Sequence, residues 1–377
     1  MKFSCDKSLL SETIQNVSLA VASKSSIIAL EGILMRCENN QLTLTGFNLE
    51  LGIIKTIPVQ SEEDGEIVLA ANLLTNIVSK MPAGRISLES NEKLLTVIRG
   101  GDVEFTILGL SSENYPEIPV ISDDRSFSIS QEIFQSVVGQ TLFAVAQSNQ
   151  NPIYTGSLFD VADNQLTVVS VDGCRLAIRK EPLSLSSEDT FRFIVPGKTL
   201  SELMKLLAKL GNSEAGDDEE EPMLSMRVSN RHIIFELAGY SIISRLLEGD
   251  FLDYQSAIPA GAKTRMVVNT REFMECINRA SIIINERAQS PIKCDVGEDG
   301  TVRLNCESTL GRVQDSFEAQ TEGDAVRIGF NNRFMYDALR ASGCDQVRIE
   351  INEPYSPMKV LPMEGDSFLF LVMPIRL

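Results

Sequence analysis

Three stretches of the chain repeat one pattern of polar and apolar residues, and this repeat limits the folds open to it. They are KFSCDKSLLSETIQNVSLAVA from Lys2, SFSISQEIFQSVVGQTLFAVA from Ser126 and RMVVNTREFMECINRASIII from Arg265. Each begins with the alternation of a short strand and continues with apolar residues at helical spacing. The residues expected to cap the three helices are Asp6, Ser130 and Thr270. Self-similarity of this kind indicates one structural unit built three times.

A second pattern, a strand that leads into a helix, also occurs three times. It appears as EIVLAANLLTNIVSKM from Glu66, RFIVPGKTLSELMKLL from Arg192 and VRIGFNNRFMYDALRA from Val326. Strand-like runs lie between the two helices of each repeat and after the second helix. This order predicts an α+β fold in which the helices gather on one face of antiparallel sheet.

The first two repeats end in similar segments, ENYPEIP (113–119) and GDFLDYQSAIP (249–259). Aromatic and proline-punctuated segments of this composition are typical of domain boundaries. We therefore predict three domains, at residues 1–122, 123–259 and 260–377. Three similar domains in series suggest an arc with helices on one side and sheets on the other.

The formal net charge of −18 is unfavourable for binding nucleic acid over the whole surface. By direct count the three predicted domains carry roughly −6, −9 and −3. Part of the acidity lies in GNSEAGDDEEEP (211–222), which is typical of a solvated loop. A DNA partner would therefore require a local basic face away from this run.

Several kinds of catalytic and cofactor site are disfavoured by the sequence. The seven cysteines are scattered without a C-x-x-C pair, which favours reduced thiols over a disulfide framework or zinc site. His232 is the only histidine, and no phosphate-binding or nucleophile-elbow motif is present. We expect no metal and no cofactor. No apolar run reaches the roughly 20 residues of a membrane span, so a soluble cytoplasmic protein is expected.

Four segments carry a resemblance to a known family. They are the opening MKF, VDGCRLAI (171–178), IVPGK (194–198) and VMPIRL (372–377). Together, and across the whole chain, they resemble the bacterial β sliding clamps of DNA polymerase III. The resemblance implies three clamp domains, each with two helices packed on antiparallel sheets, in a head-to-tail dimeric ring. It further implies a non-catalytic subunit of the DNA-directed DNA polymerase, a transferase complex, that encircles duplex DNA and confers processivity in replication.

In such a ring the helices line the hole and the sheets form the outer wall. Residues expected to face DNA, through phosphates rather than bases, are Lys24, Lys80, Gln147, Ser148, Lys198, Lys205, Arg279 and Arg287. The alternative for each charged residue is an ordinary solvent-facing side chain.

The family's partners dock short peptides in a groove between the second and third domains. The implied partners are the DNA polymerase III alpha subunit, the clamp loader and other replication and repair proteins with a clamp-binding motif. The corresponding groove residues here are Tyr154, Val171, Gly173, Cys174, Arg175, Leu176, Leu252, Ser256, Ala257, Tyr355, Pro357, Leu371, Met373, Pro374 and Arg376. Family members often carry His, Pro and Arg where Cys174, Leu252 and Ser256 stand, and Leu at Tyr154, which leaves the peptide preference open.

Two other interpretations of the sequence remain. Carboxylates near strand ends, Asp160, Asp163 and Asp172, could belong to a hydrolase or nuclease site. Alternatively, the repeats could form an open arc that serves as a scaffold for proteins only.

Overall fold

The computed structural model describes residues 1–119, 125–147, 150–183, 190–211, 221–284 and 290–377. Ser148, Arg287, the predicted boundary at residue 122 and residues 212–220 of the acidic run lie outside these ranges. The described residues contain six α-helices and 27 β-strands. None of these helices is long and apolar enough to cross a bilayer.

The elements of the first repeat are β1 (Lys2–Asp6), α1 (Lys7–Val17), β2 (Gly32–Glu38), β3 (Gln41–Phe47), β4 (Leu51–Pro58), β5 (Gln60–Glu63), β6 (Gly65–Ala70), α2 (Ala71–Lys80), β7 (Arg85–Ser90), β8 (Leu95–Gly100) and β9 (Val103–Leu108). Those of the second are β10 (Arg125–Ser130), α3 (Gln131–Gly139), β11 (Gly156–Ala162), β12 (Gln165–Val171), β13 (Arg175–Pro182), β14 (Phe191–Pro196), α4 (Gly197–Leu210), β15 (Met223–Val228), β16 (His232–Leu237) and β17 (Tyr240–Arg245).

The third repeat contains β18 (Thr264–Asn269), α5 (Thr270–Ser281), β19 (Ile292–Val296), β20 (Thr301–Ser308), β21 (Gly311–Glu318), β22 (Gln320–Gly323), β23 (Val326–Phe330), α6 (Asn332–Ser342), β24 (Gln346–Ile351), β25 (Met358–Leu361), β26 (Phe368–Val372) and β27 (Pro374–Ile375). Each repeat thus has two helices among antiparallel strands, and the predicted α+β class is confirmed.

A side-chain cap explains where the first helix of the first repeat begins. The backbone N–H groups of Ser8 and Leu9 donate to Asp6 Oδ1 at 2.8 and 3.1 Å, as predicted for α1. Helix α3 starts at Gln131, directly after Ser130. These positions follow from the strand-to-helix junction that the sequence repeats.

The predicted cap Thr270 is wrong by one residue. Asn269 is the N-cap of α5, and its Oδ1 accepts a 3.0 Å hydrogen bond from the Glu272 backbone N–H. Thr270 is already helical, and its buried Oγ1 has no hydrogen-bond partner among the residues that the structure describes. The Asn269 side chain reaches the free N–H groups of the first turn, so the helix begins one residue earlier than the sequence suggested.

The chain divides into two compact units, and the first contains residues 1–131 and 198–246. Its two sheets have the strand orders β5-β1-β7-β8-β9 and β10-β15-β16-β17-β4-β3-β2-β6. In the larger sheet β17 pairs with β4, with Tyr240 opposite Lys55. Strands of the first and second repeats therefore share one continuous sheet, and α1 contacts α2 in this unit.

The second unit contains residues 132–197 and 247–377. Its sheets have the orders β14-β11-β12-β13-β26-β25-β24-β18-β22 and β21-β20-β19-β23-β27. Here β13 pairs with β26, which joins strands of the second and third repeats. Helices α5 and α6 contact each other, and Phe273, Phe330 and Phe370 lie fully buried in the core. The β13–β26 junction positions the candidate site.

Candidate functional site

An apolar cluster lies where β13 meets β26 in the second unit. Leu176 and Leu371 are opposite each other across these strands and are almost fully buried. The other buried members are Leu158, Val169, Val171, Ile178, Ile194 and Tyr254. We call this set the groove floor. It contains three of the groove residues predicted from sequence, Val171, Leu176 and Leu371.

The segment after β17 packs against the groove floor. The Leu247 backbone N–H donates to Ile194 O at 3.0 Å, and Leu247, Phe251 and Leu252 lie half-buried on the floor. The Tyr154 ring meets Phe251 edge to face, with centroids 5.6 Å apart. These residues give the floor an apolar wall on one side, which includes the predicted Tyr154 and Leu252.

A tight turn connects β12 to β13 at the edge of the floor. Asp172 Oδ1 accepts from the backbone N–H groups of Cys174 and Arg175, at 2.9 and 3.0 Å. Gly173 has φ +89°, a conformation that favours glycine. The Met373 backbone N–H donates to Cys174 O at 2.9 Å, which ties this turn to the C-terminal segment. Cys174 is exposed and the Met373 side chain is 42% exposed, so both can meet a partner.

Arg175 is part of the predicted groove, yet its side chain is only 7% exposed. Its guanidinium pairs with Asp172 at 2.9 Å and with Asp337 on α6 at 2.7 Å. The guanidinium also lies over the rings of Phe143 and Phe334. Its Cζ atom is 5.4 Å from the Phe143 centroid and 4.8 Å from the Phe334 centroid. Arg175 is therefore built into the support of the turn.

The remaining predicted groove residues are more open. Tyr355 is 72% exposed in the turn before β25, and Pro357 is half-buried beside it. Ser256 and Ala257 are exposed, and Ser256 Oγ donates to Asp253 O at 2.8 Å. Pro374 lies half-buried in β27 and Arg376 is exposed next to it. None of these six side chains belongs to the groove floor as far as the described residues extend.

The predicted DNA-facing cations differ in how free they are. Lys24, Lys80 and Lys198 are exposed and form no ion pair with any residue the structure describes. Lys205 pairs with Glu202 at 2.9 Å, and Arg279 pairs with Asp315 at 2.7 Å. Both cations are more than half exposed although their acid partners are half-buried, so solvent weakens these pairs and a phosphate can compete for the two cations. Gln147 is also exposed.

The carboxylates of the enzyme alternative are held by structural partners. Asp160 is buried, pairs with Arg192 at 2.8 Å and accepts from the Tyr254 hydroxyl at 3.4 Å. Asp172 organises the turn before β13, and Asp163 lies in the β11–β12 turn with φ +52°. Their roles here are those of ion pairs and turns.

The thiols divide into buried and accessible groups. Cys5, Cys37, Cys276, Cys294 and Cys306 are buried, Cys344 is half-buried and Cys174 is exposed. Burial raises the pKa of Cys5 and of Cys294 to about 12. These two side chains are therefore neutral thiols at physiological pH.

Sequence reasoning missed five residues that shape the site. Leu247 and Phe251 complete the wall, and Phe251 directly precedes the predicted groove residue Leu252. Phe143, Phe334 and Asp337 surround the Arg175 guanidinium. An aromatic and an acid on an amphipathic helix give no signal in one sequence that a distant arginine will contact them.

Comparison with known proteins gives one consistent result. Three family models match in order: DNA polymerase III beta subunit, N-terminal domain, at residues 1–119; the central domain at 128–253; and the C-terminal domain at 255–376. The chain is 30% identical to the Beta sliding clamp of Bacillus subtilis over 386 residues and 32% identical to that of Halalkalibacterium halodurans over 389, with 100% of each chain covered.

Solved structures agree with the sequence comparison. A putative DNA polymerase III beta subunit from Eubacterium rectale superposes with a TM-score of 0.93 at 31% identity, covering 100% of this chain and 99% of that one. The Bacillus subtilis sliding clamp gives 0.93 at 30% identity, with the same coverage. A Pseudomonas aeruginosa sliding clamp bound to griselimycin gives 0.92 at 26% identity, covering 100% of both chains.

Proposed function

The chain belongs to the DNA polymerase III beta subunit family, and on that premise we propose how it works as a sliding clamp. It encircles duplex DNA and confers processivity on the replicative polymerase, and it catalyses no reaction of its own. Its partners are DNA, the DNA polymerase III alpha subunit, the clamp loader and other proteins that carry a clamp-binding segment. Its place of action is the cytoplasm.

The observation that carries this proposal is the groove floor with its exposed edge. Leu176 and Leu371 are buried in one apolar cluster, while Cys174 and Met373 remain accessible beside it. A linear peptide gains affinity when its aliphatic side chains pack on an apolar surface and a few polar groups fix its direction. We propose that the fifteen groove residues named from the sequence bind partners here, with Arg175 supporting the turn from beneath.

On the DNA side we propose weak contacts to phosphate. Lys24, Lys80 and Lys198 supply charge, and the exposed cations Lys205 and Arg279 can exchange their half-buried carboxylate partners for a phosphate. Gln147 and Ser148 add uncharged hydrogen-bonding groups, and Arg287 a further cation. Phosphate contacts carry no sequence information, so the protein can slide.

We propose that two copies close a head-to-tail ring through two edge strands. Strand β9 ends its sheet and exposes apolar side chains, with Phe105 at 41% and Leu108 at 68%. Strand β21 ends another sheet, and Leu310 just before it is 70% exposed. Pairing of β9 with the β21 of a second copy would cover both edges and join a first repeat to a third. The proposed domain boundaries remain residues 122/123 and 259/260.

Primer extension on a long single-primed template tests the function. The reaction contains the clamp loader and the alpha subunit. Addition of this protein is expected to increase the length of DNA synthesised per polymerase binding event by more than about tenfold, because a tethered polymerase stays near the primer end. Product lengths that do not change when the protein is added would contradict the proposed function.

A further inference from the structure

Three arginines converge on one carboxylate in the second unit. Asp337 on α6 is 14% exposed and pairs with Arg175 at 2.7 Å, with Arg340 at 3.2 Å and with Arg333 at 4.0 Å. Arg333 and Arg340 lie exposed on the same helix. Arg175 reaches Asp337 from the turn that borders the groove. Asp337 therefore contacts both the turn beside the groove and the exposed arginines of α6.

A series of ion pairs and hydrogen bonds connects Asp337 to the exposed residues of the 172–175 turn. Arg175 also pairs with Asp172, whose other oxygen holds the backbone N–H groups of Cys174 and Arg175. Cys174 O in turn accepts from the Met373 backbone N–H. The exposed groove residues Cys174 and Met373 are thus connected to α6 by one chain of ion pairs and hydrogen bonds.

We propose that Asp337 is a positioning residue shared by the peptide groove and the cationic face of α6. It holds Arg175, and through it the 172–175 turn, in the shape that receives a partner. It also pairs with Arg333 and Arg340, which weakens the attraction of these two guanidinium groups for the phosphates of DNA. The second half of the proposal rests on the proposed function, together with the expectation that the helices of the ring, α6 included, line the hole that encloses DNA.

The two roles differ in strength because the pairs differ in burial. Arg175 is almost fully buried, so loss of the Asp337 charge leaves its guanidinium with Asp172 as the remaining paired carboxylate where water cannot compensate well. Arg333 and Arg340 are exposed, so their pairs with Asp337 are weak and salt-sensitive. Removal of the Asp337 charge should therefore loosen the groove and free two cations for DNA. Partner binding and phosphate contact change in opposite directions, whereas simple destabilisation would weaken both.

The test is the variant Asp337→Asn, which keeps the side-chain shape and removes the charge. Binding of purified DNA polymerase III alpha subunit is expected to weaken about tenfold, a factor typical of losing one buried ionic contact. The loaded clamp is expected to diffuse about two- to threefold more slowly along stretched duplex DNA at low salt. The difference should shrink at high salt, where phosphate contacts are screened.

Glu275→Gln is the matched control. Glu275 pairs with Arg271 at 3.1 Å on α5, so the substitution changes net charge equally and frees an exposed arginine away from the groove. Its affinity for the alpha subunit is expected to equal that of the wild type. Unchanged alpha-subunit binding in Asp337→Asn would overturn the proposal, and so would faster or unchanged diffusion relative to the wild type.

Two further variants apply if Asp337→Asn does not fold. Arg175→Lys is expected to weaken alpha-subunit binding and leave diffusion unchanged, because Lys cannot bridge two carboxylates in the same geometry. Arg340→Gln is expected to leave alpha-subunit binding unchanged and speed diffusion. The reverse pattern overturns the proposal. Failure of the wild type itself to load or to bind the alpha subunit would instead contradict the proposed function.

Discussion

Individual residues at the groove separate into those that meet solvent and those that hold the site in place. Leu176, Leu371 and Arg175 are buried, whereas Cys174 and Met373 are open. The sequence motif VDGCRL contains both kinds without distinguishing them. The structure distinguishes them by burial, since the Arg175 side chain lies beneath the surface and the Cys174 side chain is exposed.

Substitution of Met373 tests the open side of the groove. Met373→Ala is expected to weaken alpha-subunit binding about tenfold, because an exposed apolar side chain is removed from the proposed contact. Met363→Ala is a matched control, since Met363 is 41% exposed and lies outside the groove residues. Both variants should keep the melting temperature of the wild type. Equal affinities of the two variants in a binding titration would argue against this groove.

Thiol reactivity tests the burial of the cysteines. At pH 7.5 a thiol reagent is expected to modify Cys174 first and to leave Cys5 and Cys294 unmodified until the protein unfolds. Burial raises the pKa of those two from about 9 to about 12, so the folded state favours the neutral thiol. Their contribution to stability is complete below pH 9 and is lost as the pH rises towards 12. Mass spectrometry of labelled peptides checks the order, and early labelling of Cys294 would contradict it.

At the scale of elements, the helices could be predicted from the sequence, whereas one helix cap and the pairing of strands between repeats could not. All six helices were predicted, because the amphipathic pattern of a helix is local in sequence. The cap of α5 was misplaced, since Asn269 and Thr270 are adjacent and both can cap. The pairing of β17 with β4 and of β13 with β26 was not foreseen, because a strand's pattern says which face is buried and not which strand lies beside it. The groove floor depends on that second pairing.

The cap of α5 can be tested by two adjacent substitutions. Asn269→Ala is expected to lower the stability of the protein by about 1 kcal/mol, because an N–H of the first turn loses its acceptor. Thr270→Val is expected to be neutral or slightly stabilising, because its buried hydroxyl has no partner. Denaturant titration of both variants measures the difference. A larger loss in Thr270→Val would restore Thr270 as the cap.

The edge strand β9 carries a prediction about assembly. Phe105→Glu combined with Leu108→Glu is expected to convert a dimer into a folded monomer, because two charges would be buried at the proposed β9–β21 contact. Met223→Glu, at a residue 50% exposed in the second repeat, is the control and should remain dimeric. Light scattering gives the mass, and circular dichroism checks the fold. A wild type that is monomeric at micromolar concentration would favour the open scaffold instead.

At the scale of the whole molecule, the proposed ring explains how a chain with a net charge of −18 can have DNA as its partner. A closed ring does not need to hold DNA tightly, so a few weak cationic contacts are sufficient. Free Lys24, Lys80 and Lys198 fit that requirement, whereas an open protein of this charge would dissociate from DNA. Composition alone argued against this function, and the threefold repeat and the family match outweigh it.

The most direct measurement follows the loaded protein on DNA whose ends are controlled. The clamp loader first places it on a nicked circular plasmid, and a restriction enzyme then linearises the plasmid. A ring that encloses DNA is expected to remain on the circle and to leave within minutes of linearisation, and end-blocking proteins should prevent that loss. Retention on linear DNA with free ends, or equal loss from the uncut circle, would contradict encirclement.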